Sequence, residues 1–395
     1  MKRINSFLEY LLAFLIALDY YSVYFANQLL GIGRTSLIII LLVLLGCMLT
    51  QKQRKTINLR PLLLFLTVLF VLFVSNGGGT RLFLFAIHYL ILLPLLFFYF
   101  SNQDKESNMS LLFKYSNVVT CIGGFYLFIW LMVSIFGIVK TNMSVPDNDW
   151  GEFRLLPSYN FLYFETQSYL VLGREFIRNS AIFEEPPVYN FVLCVALGIE
   201  VFLKKTRNSM HILILTLSIL STITVTGQIF LLATLVCWFL QSGKKSAKIK
   251  MLSRLLLPFI VVFAYISIKS ILEEKASSHS YETRTDTLKM MLNNFTQNPF
   301  LGIGYKRYQG EVSNSMMHLL AEGGLAMAFV YLTNILIAPI MNWIRTHETK
   351  WVLFISLYFM IFFVTIGYDN LINIMMIAFT MAYFNRNVKS KIQLQ

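Results

Sequence analysis

Long apolar runs alternate with short polar connections along the whole chain. A helix that crosses hydrocarbon needs about 20 apolar residues, within a range near 17–25. By that measure the sequence predicts spans at 7–26, 34–50, 61–76, 82–100, 116–139, 188–203, 255–271, 316–340, 351–367 and 371–385. One longer run covers 210–240. Lys204, Lys205 and Arg207 flank it on one side, and Lys244, Lys245, Lys248, Lys250 and Arg254 on the other. Basic residues are retained on the cytoplasmic side, so both flanks belong inside and the run must cross twice. The expected turn is at Thr226-Gly227-Gln228, because glycine permits a tight reversal. The pattern predicts an all-α polytopic membrane protein with about 12 transmembrane helices. Residues 1–395 are read as one integral membrane domain with both termini cytoplasmic.

Charge placement supports that topology. The segments it puts inside carry 21 of the 33 Lys and Arg residues. The first apolar run follows Met-Lys-Arg without a small-residue cleavage site, so it reads as a first span and not a removed signal. Composition excludes a soluble domain: 56% of residues are hydrophobic and 13% charged, against about 45–50% and 25% for a soluble globular protein. A net charge of +13 raises nucleic acid as a partner. The basic residues fall in short clusters between apolar runs, however, which is the pattern of cytoplasmic loops, so no nucleic acid is expected. The four cysteines, Cys47, Cys121, Cys194 and Cys237, lie within apolar runs and lack paired spacing. Neither a metal site nor a disulfide is expected of them, and no cofactor is expected.

Two predicted outside loops, 140–187 and 272–315, stand out because short connections are the default. Long ordered loops are where function tends to sit. The first contains Leu-Gly-Arg174-Glu175-Phe-Ile-Arg178 and then Glu184-Glu185-Pro186-Pro187. Two arginines four residues apart share one face if the segment is helical, and guanidinium groups grip phosphate oxygens without deprotonating. The bland alternative is a surface helix with solvated charges. In the second loop Leu288, Met291, Leu292 and Phe295 recur at helical spacing, which predicts an amphipathic helix capped by Thr283 or Thr285. Arg284 then lies near the helix N-terminus, a position that favours anions. Asn298-Pro299-Phe-Leu-Gly302-Ile-Gly304-Tyr305 follows as a turn. Ser313-Asn314-Ser315 opens a span carrying His318 and Ala321-Glu322-Gly323-Gly324.

This ordered combination resembles the signature loop of the O-antigen polymerase/ligase family, which includes the Wzy-type polysaccharide polymerases. That signature runs approximately arginine, amphipathic helix, P-x-x-G-x-G, then H-N, L, E and G. Residues 284–325 carry the likeness. Residues 178–187, RNSAIFEEPP, resemble the family's R-x-x-G-x-F-x-x-P-N, and the run from Ser221 to Gly227 resembles its hairpin. The chain departs from the pattern in places. Ser313 stands where ligases carry their presumed histidine base, Pro186-Pro187 stands for the Pro-Asn, and the hairpin lacks the common arginine and has Gln228 after Gly227.

The resemblance implies a metal-independent, inverting glycosyltransferase of the bacterial cytoplasmic membrane. Its donor would be an undecaprenyl-diphosphate-linked oligosaccharide, and its neighbours membrane lipid and, in the cell, flippase and chain-length regulator proteins. The product would be O-antigen, capsule or exopolysaccharide. Arg178 and Arg284 would grip the diphosphate. Glu184, Glu185 and His318 are the candidate bases, left open among themselves. Arg174, Tyr305, Asn314 and Glu322 are candidate substrate contacts. Because Ser313 replaces the ligase histidine, a polymerase is favoured over a ligase. A flippase or exporter of lipid-linked oligosaccharide is the alternative of another class. No internal repeat is evident, which counts mildly against a transporter built from repeats. Asp19, Glu200 and Asp369 lie in or beside apolar runs, where ionisable groups are costly and tend to face a cavity or a partner. His88, inside a span, is read as structural.

Overall fold

The computed structural model describes residues 2–19, 21–26, 33–51, 57–75, 80–103, 109–141, 143–147, 154–171, 174–241, 279–308, 314–364 and 367–392. In hydrocarbon the backbone has no water to bond, so an apolar run satisfies its amides as a helix. Among the described residues four helices are long and apolar enough to cross a membrane. They are Arg81–Asn102, Ser110–Ile135, Pro186–Leu203 and Ser315–Arg345. Shorter apolar helices cover Thr35–Leu49, Arg60–Ser75, Ser209–Ser221, Val225–Trp238, Thr349–Phe363 and Leu371–Phe384. The chain is therefore a mostly helical, multi-pass membrane protein. The expected span at 255–271 lies outside the described residues. Leu42, Leu63 and Phe70 keep more than half of their surface exposed on the outer faces of their helices. Lipid solvates such faces where water would not.

The helices are α1 (Lys2–Asp19), α2 (Val23–Ala26), α3 (Gly33–Leu49), α4 (Arg60–Ser75), α5 (Thr80–Phe85), α6 (Leu93–Asn102) and α7 (Ser110–Trp130). After the strands come α8 (Pro186–Gly198), α9 (Ser209–Ser221), α10 (Val225–Gln241), α11 (His279–Gln297), α12 (Ser315–Leu332), α13 (Ala338–Thr346), α14 (Thr349–Val364) and α15 (Leu371–Ile392). Wider π-type turns at Ala86–Leu92, Leu131–Ile135, Ile199–Leu203 and Thr333–Ile337 continue α5, α7, α8 and α12. Such bulges insert an extra residue and re-aim the side chains around them.

The chain forms two compact units. The first comprises 1–12, 37–111 and 275–395, and the second 13–36 and 112–274. In the first, α15 lies along α6, α12 packs on α4 and α14, and α11 packs on α12. Phe379 seats against Phe100 and Trp351 at ring separations of 5.3 and 5.6 Å. In the second, α9 and α10 pack on α8, whose residues from Val188 to Gly198 are all buried.

Several elements differ from the expected ones. Helix α1 stops at Asp19, not at 26. There Tyr21 turns left-handed at φ 49°, and Ser22 pairs across to Phe183 as an isolated bridge. The long run 210–240 does form two helices, but it breaks at Thr222-Ile223-Thr224. The Thr222 hydroxyl donates to Ile219 O, Ile223 is left-handed at φ 48°, and the Thr224 hydroxyl accepts from Gly227 N. Hydroxyls that bond the backbone locally end one helix and cap the next. Gly227 instead sits in the first turn of α10 because a side chain has no room there. A Cβ would lie 2.4 Å from Asn190 Oδ1.

The segment around Arg174 and Arg178 is extended and not helical. Strands β4 (Ser168–Val171) and β5 (Arg174–Ile177) pair antiparallel, Val171 with Arg174 and Ser168 with Ile177. Tyr, Val, Phe and Ile favour the pleated surface. Ahead of them β1 (Met143–Asp147), β2 (Arg154–Tyr159) and β3 (Tyr163–Phe164) form a second small antiparallel sheet. In the second long loop the amphipathic helix is present as α11. It begins at His279, so Thr283 and Thr285 lie inside it and cannot cap it. Of its apolar face, Met291 is buried while Leu288 and Leu292 remain exposed.

Candidate active site

Within the first unit, the glycine-containing turn and the glutamate-glycine motif form one structure. Helix α12 breaks at Gly324, whose φ and ψ are 57° and −160°. The backbone groups released by the break are taken up by the turn. Ile303 N and Gly304 N donate to Ala321 O and Glu322 O, both at 2.9 Å. Leu325 N and Ala326 N donate to Pro299 O and Phe300 O at 2.8 and 3.0 Å. The backbones approach so closely that a Cβ on Gly302 would lie 2.3 Å from the carbonyl carbon of Glu322. One on Gly324 would lie 2.5 Å from that of Phe300. Both glycines also have positive φ, +69° and +57°, which glycine alone adopts without strain.

This junction aims Glu322. Its side chain is 1% exposed, and buried carboxylates persist only when fully bonded. Lys306 N donates to Oε2 at 2.8 Å, Tyr308 N to Oε1 at 3.0 Å, and the Tyr368 hydroxyl to Oε2 at 2.9 Å. His318, one turn earlier on the same helix, brings Nε2 to 3.2 Å from Oε1. Its other nitrogen, Nδ1, is buried and has no hydrogen-bond partner among the described residues. The Tyr368 and Tyr308 rings meet the imidazole edge-to-face at 5.1 and 5.9 Å. A carboxylate on one imidazole nitrogen fixes the tautomer and leaves the other nitrogen as an acceptor. That is the arrangement of a general base held in place.

A second carboxylate stands beside the first. Asp369, between α14 and α15, accepts from the Tyr305 hydroxyl at 2.7 Å and pairs with Lys306 Nζ at 3.2 Å. His88 Nδ1 lies 3.2 Å from the Tyr305 hydroxyl. Tyr305 is 2% exposed and is walled by Phe85 and Tyr89. Burial alone would raise the Asp369 pKa, but Lys306, then His88, and the Tyr305 hydroxyl outweigh it and hold the carboxyl below the ordinary carboxylate range. Burial pushes the Tyr305 and Tyr368 phenols upward, reinforced by Asp369 for Tyr305 and by Glu322 for Tyr368, so both remain donors. Asn314 caps α12, its side-chain oxygen accepting from Met317 N at 3.0 Å. Arg284 belongs to α11. The placement of its side chain, like that of Arg174 in β5, lies outside the described part, as does Ser313.

In the second unit Arg178 follows β5 directly. Its Nε donates to Thr222 O at 2.9 Å and Nη1 to Gln167 Oε1 at 2.7 Å. Gln167 in turn donates through Nε2 to Glu185 Oε1 at 2.9 Å. Asn179 secures the same corner: its N donates to Ser221 O at 3.0 Å and its Nδ2 to Ser221 Oγ at 2.9 Å. Glu185 closes the loop as the extended residue before α8, which opens on Pro186-Pro187. Proline suits a first helical turn, where no amide is needed. Glu184 is buried, and its N donates to Tyr21 O at 3.1 Å. The arginine segment 178–187 and the hairpin 221–227, far apart in sequence, thus meet through Arg178 and Asn179.

Residues 210–332 match the O-antigen ligase family. The match takes in the hairpin with Thr222, helix α11 with Arg284, the glycine turn, His318 and Glu322. It bears out the resemblance to the O-antigen polymerase/ligase family over that stretch. O-antigen ligase-type proteins carry out glycosyl transfer with lipid-linked sugars, and a flippase or exporter gains no support from the match. Arg178 and Asp369 lie outside it. No curated protein matches the chain. Reading the sequence alone missed Lys306, Tyr368, Gln167 and Thr222 as members of these networks. Their only signal was adjacency, Lys306 to Gly304-Tyr305 and Tyr368 to a carboxylate at a span end.

Proposed function

We propose that this protein is a polymerase of surface polysaccharide repeat units. It transfers the growing glycan from its undecaprenyl diphosphate onto the next lipid-linked repeat unit. The observation that carries this reading is the buried His318–Glu322 pair inside the O-antigen ligase-family stretch, with one imidazole nitrogen that no described residue bonds. In the proposed step the acceptor hydroxyl oxygen forms a bond to the anomeric carbon of the donor. The bond from that carbon to the phosphate oxygen breaks, and its electron pair leaves on the lipid diphosphate. The hydroxyl proton goes to His318 Nδ1. A single displacement inverts the anomeric centre.

Arg178 and Arg284 are assigned to the diphosphate. Two guanidinium groups supply the charge that a metal would otherwise provide as the leaving group departs. Glu185, bonded to Gln167, serves to position Arg178 and not to take a proton. The reaction takes place on the outer face of a bacterial cytoplasmic membrane, with loops 140–187 and 272–315 over the glycans. A ligase differs only in its acceptor, and Ser313 in place of the ligase histidine supports the polymerase.

Purified protein given a lipid-linked repeat unit tests this directly. Longer lipid-linked chains are expected. Transfer only to an acceptor without a lipid diphosphate would establish a ligase instead, and no transfer to either would end the glycosyltransferase reading. In cells, Arg178→Ala or Arg284→Ala should collapse the polysaccharide to single repeat units while the protein stays in the membrane. Long chains in both variants would remove the arginines from the reaction.

A further inference from the structure

Asp369 lies beyond the family-matched residues, yet it holds a cation one carboxylate away from His318. Lys306 N and His318 Nε2 bond the two oxygens of the same Glu322 side chain. The Lys306 backbone is left-handed at φ 53°, an uncommon conformation for a residue with a side chain. Such strain persists only where the surroundings over-determine it, and it clusters at ligand clamps. Here the surroundings are Glu322 on the Lys306 amide and the pinned Tyr305 ring before it. The Lys306 side chain is 42% exposed, whereas Asp369 is 12% exposed. The cation therefore faces outward and its counter-ion inward. Arg307, next in the chain, is exposed as well.

We propose that Lys306 and Asp369 form an exchange site for a phosphate group, in which the Lys306 ammonium rests on Asp369 and transfers to a phosphate of the lipid-linked substrate. This rests on the glycosyl-transfer reading for the identity of the substrate, and it deepens that reading by adding a cation within the first unit. Lysine suits the task because it is a compact charge on a flexible stem. In the empty site Asp369 neutralises it. In the occupied site the phosphate replaces the carboxylate as its partner.

The test is binding of inorganic pyrophosphate and of farnesyl diphosphate to the full-length purified protein in detergent, measured by calorimetry. Lys306→Gln should weaken both by about tenfold or more, the range of one charged hydrogen bond. Lys306→Arg should retain most of the affinity. Asp369→Asn removes the competing carboxylate and should tighten binding several-fold, a gain that misfolding cannot produce. Undetectable binding of both probes to the unaltered protein would overturn the proposal. So would unchanged affinity in Lys306→Gln and Asp369→Asn, or equal weakening in the two, which is the behaviour of a structural ion pair. The readout is binding alone, so its failure leaves the chain-lengthening assay untouched. Failure of that assay with the opposed shifts intact would sink the polymerase reading and leave the phosphate site standing.

Discussion

Two buried glutamates use similar ingredients to opposite ends. Glu200, in the second unit, lies in the wide turn that ends the α8 span and is fully buried. It pairs with Lys204 one turn on, which also donates to Asn117 Oδ1 at 2.7 Å. Ser116 Oγ and Asn208 N complete its bonding at 3.1 and 3.2 Å. His211 is present too, but its Nδ1 stands 3.6 Å away, too far for a hydrogen bond. Glu322, in the first unit, is met by two backbone amides, a tyrosine hydroxyl and an imidazole at 3.2 Å. The lysine at Glu200 neutralises the charge and closes the site. At Glu322 two backbone amides and a tyrosine hydroxyl orient the carboxylate towards the histidine, the arrangement the proposed reaction requires. Burial is common to both carboxylates, so what separates them is the set of donors around each.

The largest expected effect separates the two histidines. His318→Ala should slow chain elongation by about 10²–10⁴-fold, the usual contribution of a general base. His211→Ala should leave the polysaccharide ladder unchanged. Equal ladders in the two variants would dissolve the distinction. The next effect concerns the glutamates themselves. Glu200→Gln strands a nearly buried ammonium, and losing one partner of a buried pair costs about 3–5 kcal/mol. Its melting temperature should fall clearly while the protein that remains folded elongates normally. Glu322→Gln must point an amide NH₂ at a backbone N–H, leaving buried donors unpaired at about 1–3 kcal/mol. It should melt less far below the parent than Glu200→Gln, yet lose elongation. Melting in detergent and a glycan gel on the same preparations decide both points.

Much of this was legible in the sequence, and the exceptions share a cause. Apolar run length placed α4, α8 with its wide turn, and the start of α15 within a few residues, because in lipid the helix is the only local answer to a long apolar run. The ordered motif pointed to Glu322 and His318 before any coordinate. The extended conformation around Arg178 was hidden because two arginines four apart fit a helix as well as a strand. The pairing of β4 with β5 that decides it depends on residues in the preceding strand. Gly227 looked like a turn residue, but its absent side chain serves close packing against Asn190, a contact made 37 positions away. Lys306 and Asp369 carried no motif, and only the fold of the loop between α14 and α15 brings them together.

The smallest effect tests whether the glycine junction is what aims Glu322. Gly302 and Gly137 have similar positive φ, +69° and +61°. A left-handed conformation alone costs a side-chain-bearing residue about 1–2 kcal/mol. At Gly137 a Cβ meets nothing within 4 Å, so Gly137→Ala should show that cost and no more. At Gly302 the same methyl would sit 2.3 Å from the Glu322 carbonyl carbon and 2.6 Å from Gly323 N. The turn must then pull away from α12, breaking the bonds from Ile303 and Gly304 and moving the Lys306 amide off the carboxylate. Gly302→Ala should therefore lose elongation out of proportion to its loss of melting temperature, while Gly137→Ala should show only a slight drop in melting and a normal ladder. If Gly302→Ala elongates normally, Glu322 takes its orientation from α12 and Tyr368, and the turn serves only to close the helix break.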